Sequence, residues 1–174
     1  MNSKQKIIIE DVTNDVKLRS IDYDDIEFIR KIKNHNRKSF FYQEIISKEQ
    51  QIQWFNKYLE REKDWIFVVS EAKDLSNASI GCVGFRMKKN IIDIYNVIRG
   101  KESLYGVSMM DAMKLMVSYI KNNFSCRINC EVLKSNPAVD WYKKCGFVIT
   151  NEYNRYLDME PQNVEIRKYI ERIE

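Results

Sequence analysis

Apolar positions along this chain change period several times, and each change marks an element. Val16, Leu18 and Ser20 face one way and Lys17, Arg19 and Ile21 the other, which is the alternation of a strand over Val16–Ile21. Lys6–Glu10 is a second extended stretch, set off by Thr13-Asn14-Asp15. Ile26, Ile29 and Ile32 then recur at helical spacing, behind Asp22 and Asp24, either of which suits a helix cap. That helix gives way to a polar loop, Asn34-His35-Asn36-Arg37. Ser47 followed by Gln50 forms a capping-box pattern and opens a helix with Ile52, Phe55 and Leu59 on one stripe and Trp54 and Tyr58 beside it. Trp65–Glu71, Ser79–Met87 and Ile91–Ile98 read as three successive strands of an antiparallel meander, the second with two internal glycines.

The next helix, from Val107 to about Lys121, is apolar on most sides. Its polar residues, Asp111, Lys114, Ser118 and Lys121, form one stripe, so it belongs against a sheet. Cys126–Leu133 is a further strand. A strand, a loop, a buried helix and a strand make a crossover unit, which implies that Ile91–Ile98 and Cys126–Leu133 lie parallel. Asn136 as N-cap, Pro137 at the first position and Gly146 just past the end frame a helix of about two turns. Phe147–Glu152 and Asn154–Met159 are strand-like. After Pro161, Val164, Ile166, Tyr169, Ile170 and Ile173 predict an amphipathic C-terminal helix over about 162–173.

Composition narrows the function classes. The 174 residues fit one domain, 1–174, with a core of about 16–159 and a C-terminal extension. Hydrophobic content of 44% and charged content of 31% suit a folded globular protein. No window approaches the apolar length of a spanning helix, and the N-terminal apolar run is too short for a signal peptide, so a cytoplasmic protein without a membrane partner is expected. The net charge of +4 comes from interleaved acids and bases, which argues for no nucleic-acid partner and leaves room for a small anion. Cys82, Cys126, Cys130 and Cys145 form no Cys-x-x-Cys, and the one histidine, His35, is far from them. No metal site is expected, and the cysteines read as reduced core thiols.

The candidate chemistry lies at Arg99-Gly-Lys-Glu-Ser-Leu-Tyr-Gly-Val-Ser108, between a strand and a helix start. Free backbone N–H groups and the helix dipole make an anion site there, with Arg99 and Lys101 adding charge.

The segment Asn136-Pro-Ala-Val-Asp-Trp-Tyr-Lys-Lys-Cys-Gly-Phe147 resembles the Asn-x-x-Ala-x-x-x-Tyr-x-x-x-Gly-Phe signature of the GNAT acyltransferases, with Ala138, Tyr142, Gly146 and Phe147 in register and Asn136 one position nearer the alanine. With the element order, the resemblance spans nearly the whole chain. It implies an α/β (α+β) GNAT fold with a mixed central sheet of six to seven strands flanked by helices, and an acetyl-CoA-dependent N-acetyltransferase acting by direct attack of a primary amine. In the family's phosphate loop, aligned on Gly106, Ser103 and Ser108 depart from the usual Gln/Arg and Gly/Ala. The resemblance places the CoA pyrophosphate on the amides of Ser103, Leu104, Tyr105, Gly106, Val107 and Ser108. Val97 and Ile98 would pair with the pantetheine arm, Arg99 and Asn136 would contact the cofactor, and Tyr142 would serve as general acid to the departing thiolate. His35, Glu44 and Asp93 are rival general bases, and Arg37, Phe40 and Phe41 are candidates to hold the acceptor. The acceptor region is similar to that of members acting on nucleotide-linked amino sugars, and also to that of members modifying protein N-termini. A catalytically inactive CoA-binding module is the alternative class. The protomer is expected to be a monomer or a homodimer.

Overall fold

The computed structural model describes residues 4–76, 78–100 and 108–174. Within them one sheet of nine strands runs in the order β7-β8-β6-β5-β4-β3-β2-β1-β9. β1 (Ile7–Asp11) and β2 (Val16–Ser20) form a hairpin. Asp22 and Asp25 exchange the two hydrogen bonds of a capping box around a single 3-10 turn. Arg19 clamps Asp25 through both terminal nitrogens, at 2.8 and 3.1 Å, and the chain continues into α1 (Ile26–His35). His35 is thus the last residue of α1 and not part of the loop after it. The Ser47–Gln50 capping box opens α2 (Lys48–Leu59) as the pattern predicts. The buried stripe of α2 is Gln51, Phe55 and Tyr58, while Ile52 and Leu59 point outward. The stripe is turned from the expected one because the Tyr58 hydroxyl accepts the Ile66 N–H at 3.2 Å and fixes the rotation of the helix.

β3 (Asp64–Glu71), β4 (Gly81–Lys88) and β5 (Ile91–Arg99) are the antiparallel meander. α3 (Met109–Asn123) crosses to β6 (Arg127–Leu133), which lies parallel to β5 as the crossover argument requires. α4 (Val139–Lys144) begins later than expected: Asn136 accepts the Ala138 N–H at 2.8 Å and holds a turn ahead of the helix. β7 (Val148–Glu152) and β8 (Tyr156–Glu160) follow, with β8 between β6 and β7.

Two cores cover the two faces of the sheet. α3 and α4 close one, built on Phe67, Phe85, Ile92, Ile94, Met113 and Met116 among others. α1 and α2 close the other, on Ile29, Phe55, Tyr58, Ile66 and Ile98. Each large side chain fully buried in these layers contributes about 1.5–3 kcal/mol of transfer free energy, so the layers flanking β5 and β6 form a rigid frame for the gap between those strands.

The C-terminal expectation is corrected. No helix follows Pro161. Residues 161–168 cross α3, and β9 (Tyr169–Ile173) pairs antiparallel with β1, so β1 and β9 extend the seven strands β2–β8 to nine. α3 already covers that face of the sheet, while β1 offers an open edge whose backbone groups need partners. Arg167 pins the crossing. Its side chain bonds Asp111 at 3.0 Å and lies 4.0 Å from the fully buried Asp11 carboxylate, and its N–H donates to Ser118 Oγ at 2.8 Å. Arg167→Met leaves two carboxylates without their cation and is expected to cost about 3 kcal/mol, read as a lowered denaturant midpoint.

Candidate active site

β5 and β6 pair only from Ile91↔Arg127 to Ile94↔Cys130. Beyond that, β6 stays on β8 and β5 stays on β4, so the two parallel strands separate into a wedge. β5 also carries a bulge at this point. Tyr95 stands opposite Gly84 and Ile98 opposite Cys82, so three steps on β5 match two on β4. Asn96 takes up the extra residue with φ of 51°, a left-handed conformation that asparagine adopts more readily than most residues. The buried Cys82 thiol donates to the Asn96 carbonyl at 3.2 Å, and Lys33 Nζ donates to Asn96 Oδ1 at 3.2 Å.

The wedge opens into two adjoining cavities. One, of about 420 Å³, is bounded by Ile98, Arg99, Met109, Pro137 and Trp141. The other, of about 330 Å³, is bounded by Phe41, Tyr95, Asn96, Asp93, Cys130 and Glu131. Ser39, Phe40, Val97, Asn136 and Tyr142 line both, so the two form a channel across the edge of the wedge. Met109 enters the first cavity because Gly81 has no side chain; a Cβ there would lie 2.6 Å from the Met109 sulfur.

Tyr142, on α4, is 6% exposed. Burial first, then the neighbouring Cys130 thiol with which it shares a hydrogen bond, push its phenol well above the usual value. Burial likewise pushes the Cys130 thiol up to about 12, so both groups stay protonated at neutral pH. Asn136 ties this end of the channel to the α1–α2 connection by donating from Nδ2 to the Ser39 carbonyl at 3.3 Å.

The other sequence candidates separate. Val97, Ile98 and Arg99 reach the channel, and Phe40 and Phe41 form its wall. Ser108 is the N-cap of α3: its hydroxyl accepts the Asp111 N–H at 3.2 Å and donates to the Asp111 carboxylate at 2.8 Å. Lys101, Ser103, Leu104, Tyr105, Gly106 and Val107 lie outside the described residues. Asp93 is buried at the far end of the second cavity, where its Oδ2 accepts from Arg86 at 2.9 Å and Lys88 at 2.8 Å. His35 and Glu44 are exposed and line neither cavity. Arg37 donates to the Asn34 carbonyl at 3.3 Å and also stays outside both.

Lys33, Asn96, Arg61 and Glu131 line the second cavity, and the sequence pattern singled out none of them. The available signal for Asn96 was an asparagine interrupting the β-branched run Ile91–Ile98. Among the described residues, no group of His, Cys, Asp and Glu could hold a metal ion, and no helix is long and apolar enough to cross a membrane.

No family model matches the sequence, and no curated protein matches it. Solved structures do match the fold. FdhC, described as a nucleotide-linked sugar GNAT, superposes with a TM-score of 0.69 at 19% identity, over 91% of this chain and 88% of its own. The spermidine N-acetyltransferase of Vibrio cholerae, solved with CoA and spermine, gives 0.64 at 22% identity, over 90% of this chain and 95% of that one. A domain from Methanocaldococcus jannaschii gives 0.68 at 19% identity, over 90% and 98%. The wedge between parallel strands thus sits in a GNAT fold.

Proposed function

We propose that this chain, built on the GNAT fold, is an acetyl-CoA-dependent N-acetyltransferase that modifies the primary amine of a small acceptor, an amino sugar linked to a nucleotide. The observation that carries the reading is the channel at the wedge, with Tyr142 and Val97 of the β5 bulge lining both of its cavities.

Acetyl-CoA supplies an acyl group already activated as a thioester. The first cavity fits its pantetheine arm: among the described residues β6 pairs with β5 only as far as Ile94, and Met109, Pro137 and Trp141 give an apolar lining. An N–H of β5 near the bulge, fixed by the Cys82 and Lys33 contacts to Asn96, would stabilise negative charge developing on the acyl oxygen. Tyr142 would donate a hydrogen bond to the sulfur as it gains charge; a phenol pushed upward holds its own proton, so donation without full transfer is the chemistry it favours. Of the two carboxylates in the second cavity, Asp93 is held by two cations, whereas Glu131 forms no salt bridge among the described residues. Glu131 is therefore the group we assign to receive the amine's proton. Glu131→Gln should lower kcat/KM about tenfold at neutral pH and less at alkaline pH, where the amine arrives already neutral. His35→Ala and Glu44→Gln should leave the pH–rate profile unchanged.

Four free cysteines support a reducing, cytoplasmic setting. The test has two arms, calorimetry with acetyl-CoA and a panel of sugar, polyamine and peptide amines read by thiol release. Binding with a Kd below about 1 mM and turnover of an amino sugar support the reading, and absence of CoA binding overturns it.

A further inference from the structure

A third cavity, of about 410 Å³, opens between α1 and α2. It is continuous with the amine side of the channel, since Lys33, Tyr42, Trp54, Arg61 and Asn96 line both. Its charge is one-sided: Lys33, Lys57 and Arg61 face it, and no carboxylate belongs to its lining. Gln50, Trp54, Lys57 and Arg61 fall at i, i+4, i+7 and i+11, so one face of α2 and the turn after it presents these groups together.

We propose that this cavity is an anion subsite that holds a phosphate or diphosphate carried by the amine acceptor. The inference rests on the acetyltransferase reading and deepens it by saying which part of the acceptor is recognised, and where. Lys33 is half-buried, and its one hydrogen bond goes to a neutral amide oxygen, so its charge is not neutralised in place. Burial lowers its pKa, which is the signature of a cation short of counter-charge. An incoming phosphate supplies that charge and reverses the desolvation cost. Arg61 gives one terminal nitrogen to Asp64 at 3.2 Å and keeps other N–H groups for a second oxyanion. Lys57 is exposed at the rim, where a third cation steers a doubly charged group inward. Trp54, stacked on Tyr58 at 5.7 Å, also lines the cavity and gives a planar base an aromatic neighbour to pack against. The same arrangement repels a polyamine, because the cations of the cavity face the cations of the ligand.

The experiment uses the full chain saturated with CoA, so that the cofactor's own phosphate contacts are filled. Inorganic pyrophosphate, uridine diphosphate and spermine are then titrated by calorimetry at low and at moderate salt. Expected are pyrophosphate and uridine diphosphate binding that weakens with salt, no spermine binding, and a loss of about tenfold in uridine diphosphate affinity in Lys57→Glu. Lys57 is a solvent-exposed helical position, so the variant should fold, and its CoA titration verifies this. Two results would overturn the proposal: no pyrophosphate or uridine diphosphate binding to the CoA-loaded protein, or uridine diphosphate binding that Lys57→Glu leaves unchanged. Failure of CoA itself to bind is a different outcome and overturns the acetyltransferase reading instead.

Discussion

Tyr142→Phe should lower kcat about 100-fold while leaving CoA affinity within about twofold. The substitution removes one hydroxyl and keeps the ring, which packs edge-on against Phe147 at 5.5 Å and Trp141 at 5.1 Å. Packing of α4 on the sheet is therefore retained, and the loss would fall on the proposed hydrogen bond to the sulfur, which would strengthen only as the bond to carbon breaks. The Cys130 thiol loses its partner as well, at a cost of about 1 kcal/mol in stability. Thiol release under saturating acetyl-CoA gives kcat, and calorimetry gives the affinity. A kcat equal to that of the parent would remove Tyr142 from the reaction. The pH dependence adds a second check: because burial and Cys130 raise the phenol, it stays protonated through the neutral and mildly alkaline range. Any alkaline loss of activity below about pH 10 must then come from another group, and it should persist in Tyr142→Phe.

Gly146→Ala should destabilise the protein by about 3 kcal/mol, a fall of roughly 10 °C in Tm. Gly146 has φ of +99°, and a Cβ there would lie 2.3 Å from the Asn163 carbonyl oxygen and 2.7 Å from the Val164 nitrogen. Both are backbone atoms of the crossing segment that leads to β9, held in place by the Asn163 N–H donating to the Gly146 carbonyl at 2.9 Å. They cannot yield as a flexible side chain would. The substitution therefore combines the cost of a left-handed alanine with displacement of the C-terminal crossing. Thermal unfolding checks it; a Tm within a degree or two of the parent would mean that the crossing yields freely. Activity per folded molecule should be preserved at low temperature, since Gly146 is not among the residues lining the channel.

What the sequence disclosed depended on how locally each feature is determined. The meander, the buried α3, the parallel crossover and the turn-rich frame of α4 follow from short-range periodicity, caps and glycine placement, and all appear within a few residues of their expected bounds. β9 escaped because Ile166, Tyr169, Ile170 and Ile173 satisfy a helical wheel as well as a strand. The decision is made by β1, more than 150 residues earlier in the chain, which has an edge to fill. The bulge escaped for a different reason. Plain alternation groups Ile92, Ile94 and Ile98 on one face, whereas the extra residue at Asn96 sends Ile98 to the α1–α2 core and Val97 toward the α3 side. Tyr142 and Asn136 were legible because they sit in a contiguous signature. The basic cavity was not, since Lys33, Lys57 and Arg61 come from two helices and the turn after them, and only packing brings them together.

The parting of β5 from β6 also has a thermodynamic consequence. Among the described residues β6 pairs with β5 only as far as Ile94, and along a channel walled by Val97, Ile98, Trp141 and Tyr142 the Val97 peptide on that edge is poorly served by water. Whatever extended, amide-bearing molecule lies along that edge completes the sheet in the way a missing strand would. Ligand binding and fold completion are then one process. The Val97 amide proton should be among the fastest-exchanging of the central strands in the free protein and should slow sharply when the channel is filled, and the apparent stability of the whole domain should rise with ligand concentration.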